Sequence, residues 1–155
     1  MATSAMPEAI DALLAILGAA PELADVQIVD GPPVNDQSVA DQLCVGYQPG
    51  DGESASMVQE FAYAGARRRN EDGVIDCWID CWSGDVEIQP RRQRAFELLA
   101  VVEDALRASG AAPDAPTLGG VVQWSHLTAG SLRQAITDQG ARAGIGFTVS
   151  YFARI

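Results

Sequence analysis

The architecture depends most on the segment Gly144-Ile-Gly-Phe-Thr-Val-Ser-Tyr-Phe-Ala-Arg-Ile155. Its positions alternate between apolar side chains and small or polar ones, with Phe152 as the exception; the apolar positions are Ile145, Phe147, Val149, Tyr151, Ala153 and Ile155. Successive side chains of a β-strand point to opposite faces, so this period of two predicts a strand with one buried face. A shift of one residue in register would expose the apolar set, so the pairing of this strand should be strongly specified. A chain end this apolar should be docked rather than frayed.

A second alternating segment, residues 74–83, predicts another strand with two unlike faces. One face holds Ile75, Cys77, Ile79 and Cys81, and the other holds Asp76, Trp78, Asp80 and Trp82. Shorter strands are predicted at residues 26–30, 43–47, 56–65 (where Met57, Phe61 and Tyr63 share a face), 121–124 and 132–137. Residues 34–42 are polar and predict a loop. Turns are predicted at Asp72-Gly73, a pair that suits a hairpin, and at Asp138-Gln-Gly140.

Two segments have the period of an amphipathic helix. The first, residues 7–18, carries an apolar stripe of Met6, Ile10, Leu13, Leu14 and Leu17. The second begins near Pro90, ends before Gly110 and carries Ala95, Leu98, Leu99, Val102 and Leu106. One apolar stripe on each helix predicts an α+β fold, a single two-layer domain over residues 1–155 with both helices packed on one face of a mixed or antiparallel β-sheet.

The chain is acidic, and its charge is unevenly distributed. It holds 21 acidic and 10 basic residues, a net charge of −11, and every base is arginine. Residues 1–66 contain ten of the acids and none of the bases. An acidic protein repels phosphate backbones, so tight binding of nucleic acid is not expected.

The segment from Met1 to Met6 lacks the bases of a signal peptide, and no apolar run approaches the ~20 residues that cross a bilayer. We therefore expect synthesis in the cytoplasm and no membrane contact.

The three cysteines are candidate metal ligands and candidate disulfide partners. Cys77 and Cys81 stand four residues apart in a predicted strand, about 13 Å, which is beyond the reach of a disulfide. His126, the only histidine, and Cys44 would complete a metal site only if the fold happened to bring them there. We therefore favour a buried, reduced thiol pair with raised pKa values, and we predict no metal or other cofactor.

Carboxylates and aromatic rings alternate on the second face of residues 74–83. Asp76 and Asp80 flank Trp78, which invites comparison with glycosidases, whose paired carboxyl groups lie about 5–9.5 Å apart. The favoured interpretation is a wet or subunit-contacting surface with aromatic anchors.

His126 has no second histidine for a proton relay, and the sequence holds no nucleophile elbow, phosphate loop or His-Glu metal motif. We predict that the protein is not an enzyme.

Six arginines form two groups, in a predicted connection between strands and at the start of the second predicted helix: Arg67, Arg68, Arg69, Arg91, Arg92 and Arg94. Each cation in a first helical turn costs roughly 0.3–1 kcal/mol against the helix dipole when exposed. One interpretation is that both groups are solvated. The other is that they are inter-subunit contacts, paired with the acids in residues 1–66 of a second copy.

Four segments together carry a resemblance to a known family. They are the helix Ile10-Asp-Ala-Leu-Leu-Ala-Ile-Leu17, the segment Val26-Gln-Ile-Val-Asp-Gly-Pro-Pro33, the long helix from Arg91 to Ala108, and the ending from Gln139 to Ile155. In this combination the chain resembles the tail terminator (tail completion) proteins of long-tailed, non-contractile bacteriophages. The resemblance covers most of the chain and consists of hydrophobic pattern more than fixed side chains.

The resemblance implies a structural role in the virion tail. Family members form a hexameric ring that caps the head-proximal end of the tail tube, stops tube polymerisation and provides the head–tail joining surface. The implied partners are other copies of the chain, the major tail tube protein and the head–tail connector protein. DNA passes through the lumen without specific binding, which agrees with the net charge of −11. An acidic half and an arginine-bearing half suit a head-to-tail ring, in which two different patches meet.

Two alternatives remain at this point. The family is similar in fold to other head–tail joining proteins, so another connector or a minor tail protein fits the same pattern. A non-viral, partner-binding α+β module fits the composition equally well. A cyclic homo-oligomer favours the ring, whereas a monomer that persists at high concentration favours the module.

Overall fold

The computed structural model describes residues 2–33, 41–50, 52–65 and 67–155. The described residues form two α-helices, α1 (Met6–Ala19) and α2 (Ile88–Ala105). They also form six strands: β1 (Gln27–Asp30), β2 (Asp41–Val45), β3 (Ala55–Phe61), β4 (Arg69–Trp82), β5 (Trp124–Thr137) and β6 (Gly140–Arg154). The predicted α+β class is confirmed.

The six strands form one mixed sheet in the order β1-β2-β4-β6-β5, with β3 attached to β4. β1 and β2 are parallel, and every other pairing is antiparallel. One edge of β4 pairs with β6 along residues 70–82. The other edge is divided, because β3 pairs with residues 69–75 and β2 with residues 77–81. β4 and β6 therefore lie at the centre of the sheet.

The alternation predicted for the two central strands is confirmed. Along β4, side chains are alternately buried and half-buried from Gly73 to Trp82. Along β6, the apolar set from Ile145 to Ala153 is at most 1% exposed. Both helices pack on this buried face and contribute Ala9, Leu13, Leu17, Ala95, Leu98 and Val102 to its core.

The hairpin predicted at Asp72-Gly73 is wrong. Both residues lie inside β4, and the connection from β3 to β4 covers residues 62–68. Gly73 is required for another reason: the ring of Tyr151 on β6 occupies the place of a side chain there. A Cβ atom at Gly73 would lie 2.1 Å from that ring.

Other boundaries differ from the prediction. The strand predicted at residues 121–124 is wrong except at Trp124, where β5 begins. The strand predicted at residues 132–137 is the far part of β5, which also has a bulge between Leu127 and Ala129. The turn predicted at residues 138–140 is confirmed, because Asp138 and Gln139 connect β5 to β6. The loop predicted for residues 34–42 lies outside the described residues as far as residue 40, and Asp41 and Gln42 belong to β2.

Candidate functional site

Arg94 at the start of α2 is paired with carboxylates of its own chain. Its Nε donates to Asp41 Oδ2 at 3.0 Å, and its Nη2 lies 3.2 Å from Asp25 Oδ2. Burial by itself lowers the pKa of Arg94, but the two carboxylates more than offset this and raise it. Asp25 and Asp41 belong to the base-free part of the sequence, so the acids that the sequence suggested for this group reach Arg94 within one subunit.

The other two arginines of this group have no ion pair with the described residues. Arg92 donates to Gln134 on β5 at 2.8 Å, and this contact ties α2 to that strand. Arg91 is half-buried, and its enclosed Nε finds no acceptor among the described residues. Both cations stand near the same end of the helix.

The arginines between β3 and β4 are arranged differently. Arg69 begins β4 and donates to Gln59 Oε1 at 2.8 Å. Arg67 and Arg68 are exposed, and within the described part of the chain they form no ion pair. That any of the six arginines contacts a neighbouring subunit stays a prediction. Five of the six have no ion pair with the described residues: Arg67, Arg68, Arg69, Arg91 and Arg92.

The sheet face opposite the helices, which we call the open face, carries Asp76, Trp78, Asp80 and Trp82 half-buried along β4. Burial raises the pKa of Asp76, and nearby Glu53 adds to the effect. Burial also raises the pKa of Asp80, although Arg142 Nη2 lies 3.0 Å from its carboxylate and partly offsets the shift. The ring of Trp78 occupies the place of a side chain at Gly144, where a Cβ atom would lie 2.2 Å from it. Trp78 is thus packed on the sheet, and Asp80 is held in an ion pair.

The open face continues on β5 and β6 with an aromatic stack and a hydroxyl cluster. The rings of Trp124 and Phe152 stack at 6.2 Å between centroids, and His126 lies 5.0 Å from Trp124. This position explains why Phe152 interrupts the apolar alternation of its strand: it faces away from the core. The hydroxyl of Thr128 hydrogen-bonds those of Thr148 and Ser150 at 2.9 and 2.7 Å.

All three cysteines are free and fully buried. Burial raises the pKa of Cys44 to about 11 and that of Cys77 to about 12, and it raises the pKa of Cys81 as well. The predicted burial and raised pKa values of Cys77 and Cys81 are confirmed.

Cys44 is in register with Trp78 and so lies on the opposite face of the sheet from Cys77 and Cys81. Across the described ranges, no group of three or more His, Cys, Asp and Glu side chains is placed to hold a metal ion.

Large apolar side chains are exposed on β3 and just beyond it. Val58 is 72% exposed, Phe61 68% and Tyr63 70%. The face shared by Met57, Phe61 and Tyr63 in the sequence is therefore mostly in water, and Met57 itself is 43% exposed. Met57 and Phe61 lie on one face of β3 and Val58 on the other, so both faces of this strand expose apolar side chains. Exposed apolar surface is typical of contact surfaces.

The far end of β5 is exposed on both of its faces. Every residue from 128 to 139 is exposed, and the apolar members include Leu132 and Ile136. This exposure could not be predicted from the sequence, because residues 132–137 resemble an ordinary covered strand. A third exposed feature is a groove of about 610 Å³ between the ends of α1 and α2, lined by small apolar residues such as Ala15, Ala19, Val101 and Ala105.

The chain matches no protein-family model and no curated protein sequence. None of the helices in the described residues is long and apolar enough to span a membrane.

Proposed function

We propose that the protein is a structural subunit that forms a ring, hexameric in the family that it resembles, at the head-proximal end of a phage tail tube. In this role it ends tube polymerisation and offers a joining surface to the head–tail connector. The observation that carries the proposal is the exposed apolar surface on both flanks of one small domain, on β3 and on β5. Exposed apolar residues gathered in two places favour assembly with other protein surfaces.

The charge of the chain supports the same role. A ring of subunits with a net charge of −11 each would repel the phosphates of DNA moving through its lumen. Among the described residues, the acids paired with an arginine are Asp25, Asp41, Asp80, Glu97 and Glu103, so most of the described acids have no arginine partner. DNA would therefore pass without specific binding.

The test is a tube-capping assay with a purified major tail tube protein encoded by the same genome. Tube protein polymerised alone should give tubes of unlimited length, and added protein should stop growth and appear as a ring at one end in negative-stain images. The control is the same protein after thermal unfolding. Tubes that grow equally long with and without the native protein would contradict the proposal.

A second candidate function is favoured by the groove between α1 and α2. Its small apolar lining and its volume of about 610 Å³ suit an apolar segment of a protein partner. Under this alternative the chain is a partner-binding module, and it stays monomeric at high concentration. Sedimentation of the purified protein separates the two candidates, because the ring requires a mass several times 16.3 kDa.

A further inference from the structure

We propose that neighbouring subunits join through their sheets, the outer edge of β5 in one copy pairing with the outer edge of β3 in the next. This inference rests on the proposed ring, and it names the surfaces that build it. A strand edge with unpaired N–H and C=O groups is a template for another strand.

The outer edge of β5 has the features of such a template. One edge of β5 pairs with β6 along its length, and among the described residues no strand pairs with the other. The bulge lies near the start of the strand, so residues 129–137 form a regular stretch. On this stretch Ile136 is 62% exposed and Leu132 37%. Natural proteins usually protect a long edge with charges or short strands, and this stretch carries a single charge, Arg133.

The outer edge of β3 has matching features on the other side of the sheet. β3 pairs with β4 through one edge, and no described strand pairs with its second edge. Its seven residues fit within the regular stretch of β5. Val58 and Phe61 are each about two-thirds exposed or more, so pairing would cover them.

The charges on the two strands favour pairing of β5 with β3 over pairing of β5 with β5 or of β3 with β3. Glu60 is the charged residue of β3, and Glu53 precedes the strand. β5 carries Arg133 and no acid. Joining β5 to β5, or β3 to β3, would bring like charges together, whereas β5 against β3 brings opposite charges together. A contact between two different patches repeats head to tail, and it closes into a ring when the rotation allows.

The experiment compares two edge variants, Ile136→Glu and Val58→Glu, with the control Val86→Glu. All three residues are at least 62% exposed in the subunit, so each variant should fold. Val86 lies in the connection before α2, outside both edges. At a protein concentration where the wild type assembles, each edge variant should fall to 16.3 kDa in sedimentation, and the control should keep the wild-type mass.

Mixing the two edge variants gives the decisive measurement. Each retains one intact edge, so a 1:1 mixture should form a dimer of twice 16.3 kDa and grow no further. A pairing of like edges predicts instead that one variant alone still dimerises. The inference is overturned if either edge variant keeps the wild-type mass, if the control dissociates equally, or if the mixture stays monomeric.

These outcomes are separable from failure of the proposed function. A wild-type ring that survives both edge variants overturns the edge contact and leaves the ring standing. Open filaments blocked by both variants support the edge contact and overturn the closed ring. A wild-type chain that stays monomeric at every concentration overturns both.

Discussion

Glu71 is a fully buried carboxylate that joins three parts of the chain. It accepts hydrogen bonds from the Tyr151 hydroxyl at 2.8 Å and the Ala5 amide at 3.1 Å, and a further one from the Gln59 side chain. Burial by itself raises the pKa of Glu71, but these bonds and one with Ser4 outweigh it and lower the pKa. The ionised form is therefore the one that the fold stabilises.

Replacing this carboxylate should remove a pH-dependent part of the stability. Because the folded pKa lies below the ordinary value of 4.5, the stabilisation is full above pH 4.5 and is lost as the pH falls through the folded pKa. Glu71→Gln should lower the free energy of unfolding by about 1–3 kcal/mol at pH 7, since its amide would face the donor of Gln59. Denaturant titrations at pH 7, 5 and 3 should show the gap between wild type and variant narrowing towards acid.

Glu60→Gln is the matched control for Glu71→Gln. Glu60 is an exposed carboxylate on the neighbouring strand β3, so this variant makes the same change in charge without removing a buried hydrogen-bond network. Its stability should stay within about 0.5 kcal/mol of wild type. A gap for Glu71→Gln that is constant with pH would refute the assignment.

Gly73 is a position where the sheet has no room for a side chain. A Cβ atom there would overlap the ring of Tyr151, which in turn is fixed by its hydrogen bond to Glu71. Gly73→Ala should lower the free energy of unfolding by about 1–3 kcal/mol. Gly18→Ala is the control, because nothing lies within 4 Å of its new methyl group and α1 should gain up to about 1 kcal/mol. Equal melting temperatures for the two variants would contradict this account.

At the scale of elements, β6 is the strand on which the fold depends most. It pairs with β4 on one side and with β5 on the other, and among the described strands β5 has no second partner. Each large apolar side chain contributes roughly 1.5–3 kcal/mol on burial, while total stability is about 5–15 kcal/mol. Deleting residues 147–155 should therefore abolish the cooperative thermal transition in calorimetry.

A pair of point variants separates loss of packing from loss of chain length. Phe147 is 1% exposed on β6, and Phe96 is 48% exposed on α2. Phe147→Ala should lower the free energy of unfolding by about 3–5 kcal/mol, and Phe96→Ala should lower it by less than about 1 kcal/mol. A cooperative melt in the truncated chain, or equal losses for the two alanine variants, would show that β6 is not part of the core.

The central strands could be predicted from the sequence because one face of each lies under the helices. Burial on one face forces the alternation seen in β4 and β6. That rule does not apply where both faces of a strand are exposed, so residues 125–131 of β5 were not predicted as a strand. The hairpin predicted at Asp72-Gly73 was wrong for a different reason. Asp-Gly is a local turn signal, whereas the glycine is required by the ring of Tyr151, which is on another strand.

For the whole molecule, sequence reasoning could select candidate residues but not their partners. The acids of residues 1–66 and the arginines of α2 were complementary in composition, yet their pairing at Arg94 depends on how β2 and α2 meet. The exposed edges of β3 and β5 depend on strand order, which no single segment encodes. The shared face of Met57 and Phe61 predicted a strand, but not that this face would be exposed.

Arg67, Arg68, Arg91 and Arg92 have no ion pair with the described residues, and they provide the test of the predicted inter-subunit contacts. The double variants Arg67→Glu/Arg68→Glu and Arg91→Glu/Arg92→Glu leave Arg94 intact, because its reversal would break ion pairs within the subunit. Of the four arginines changed, Arg92 loses a hydrogen bond within the subunit, to Gln134. Exposed ion pairs contribute about 0–1 kcal/mol each, so the contacts should set register more than strength. We expect at least one double variant to need several-fold more protein to assemble at low salt, with the difference shrinking at high salt because mobile ions screen the charges. Arg107→Glu is the control, since Arg107 already pairs with Glu103 on α2. If sedimentation shows both double variants assembling like wild type at both salt concentrations, these arginines are solvated and the ring is held without them.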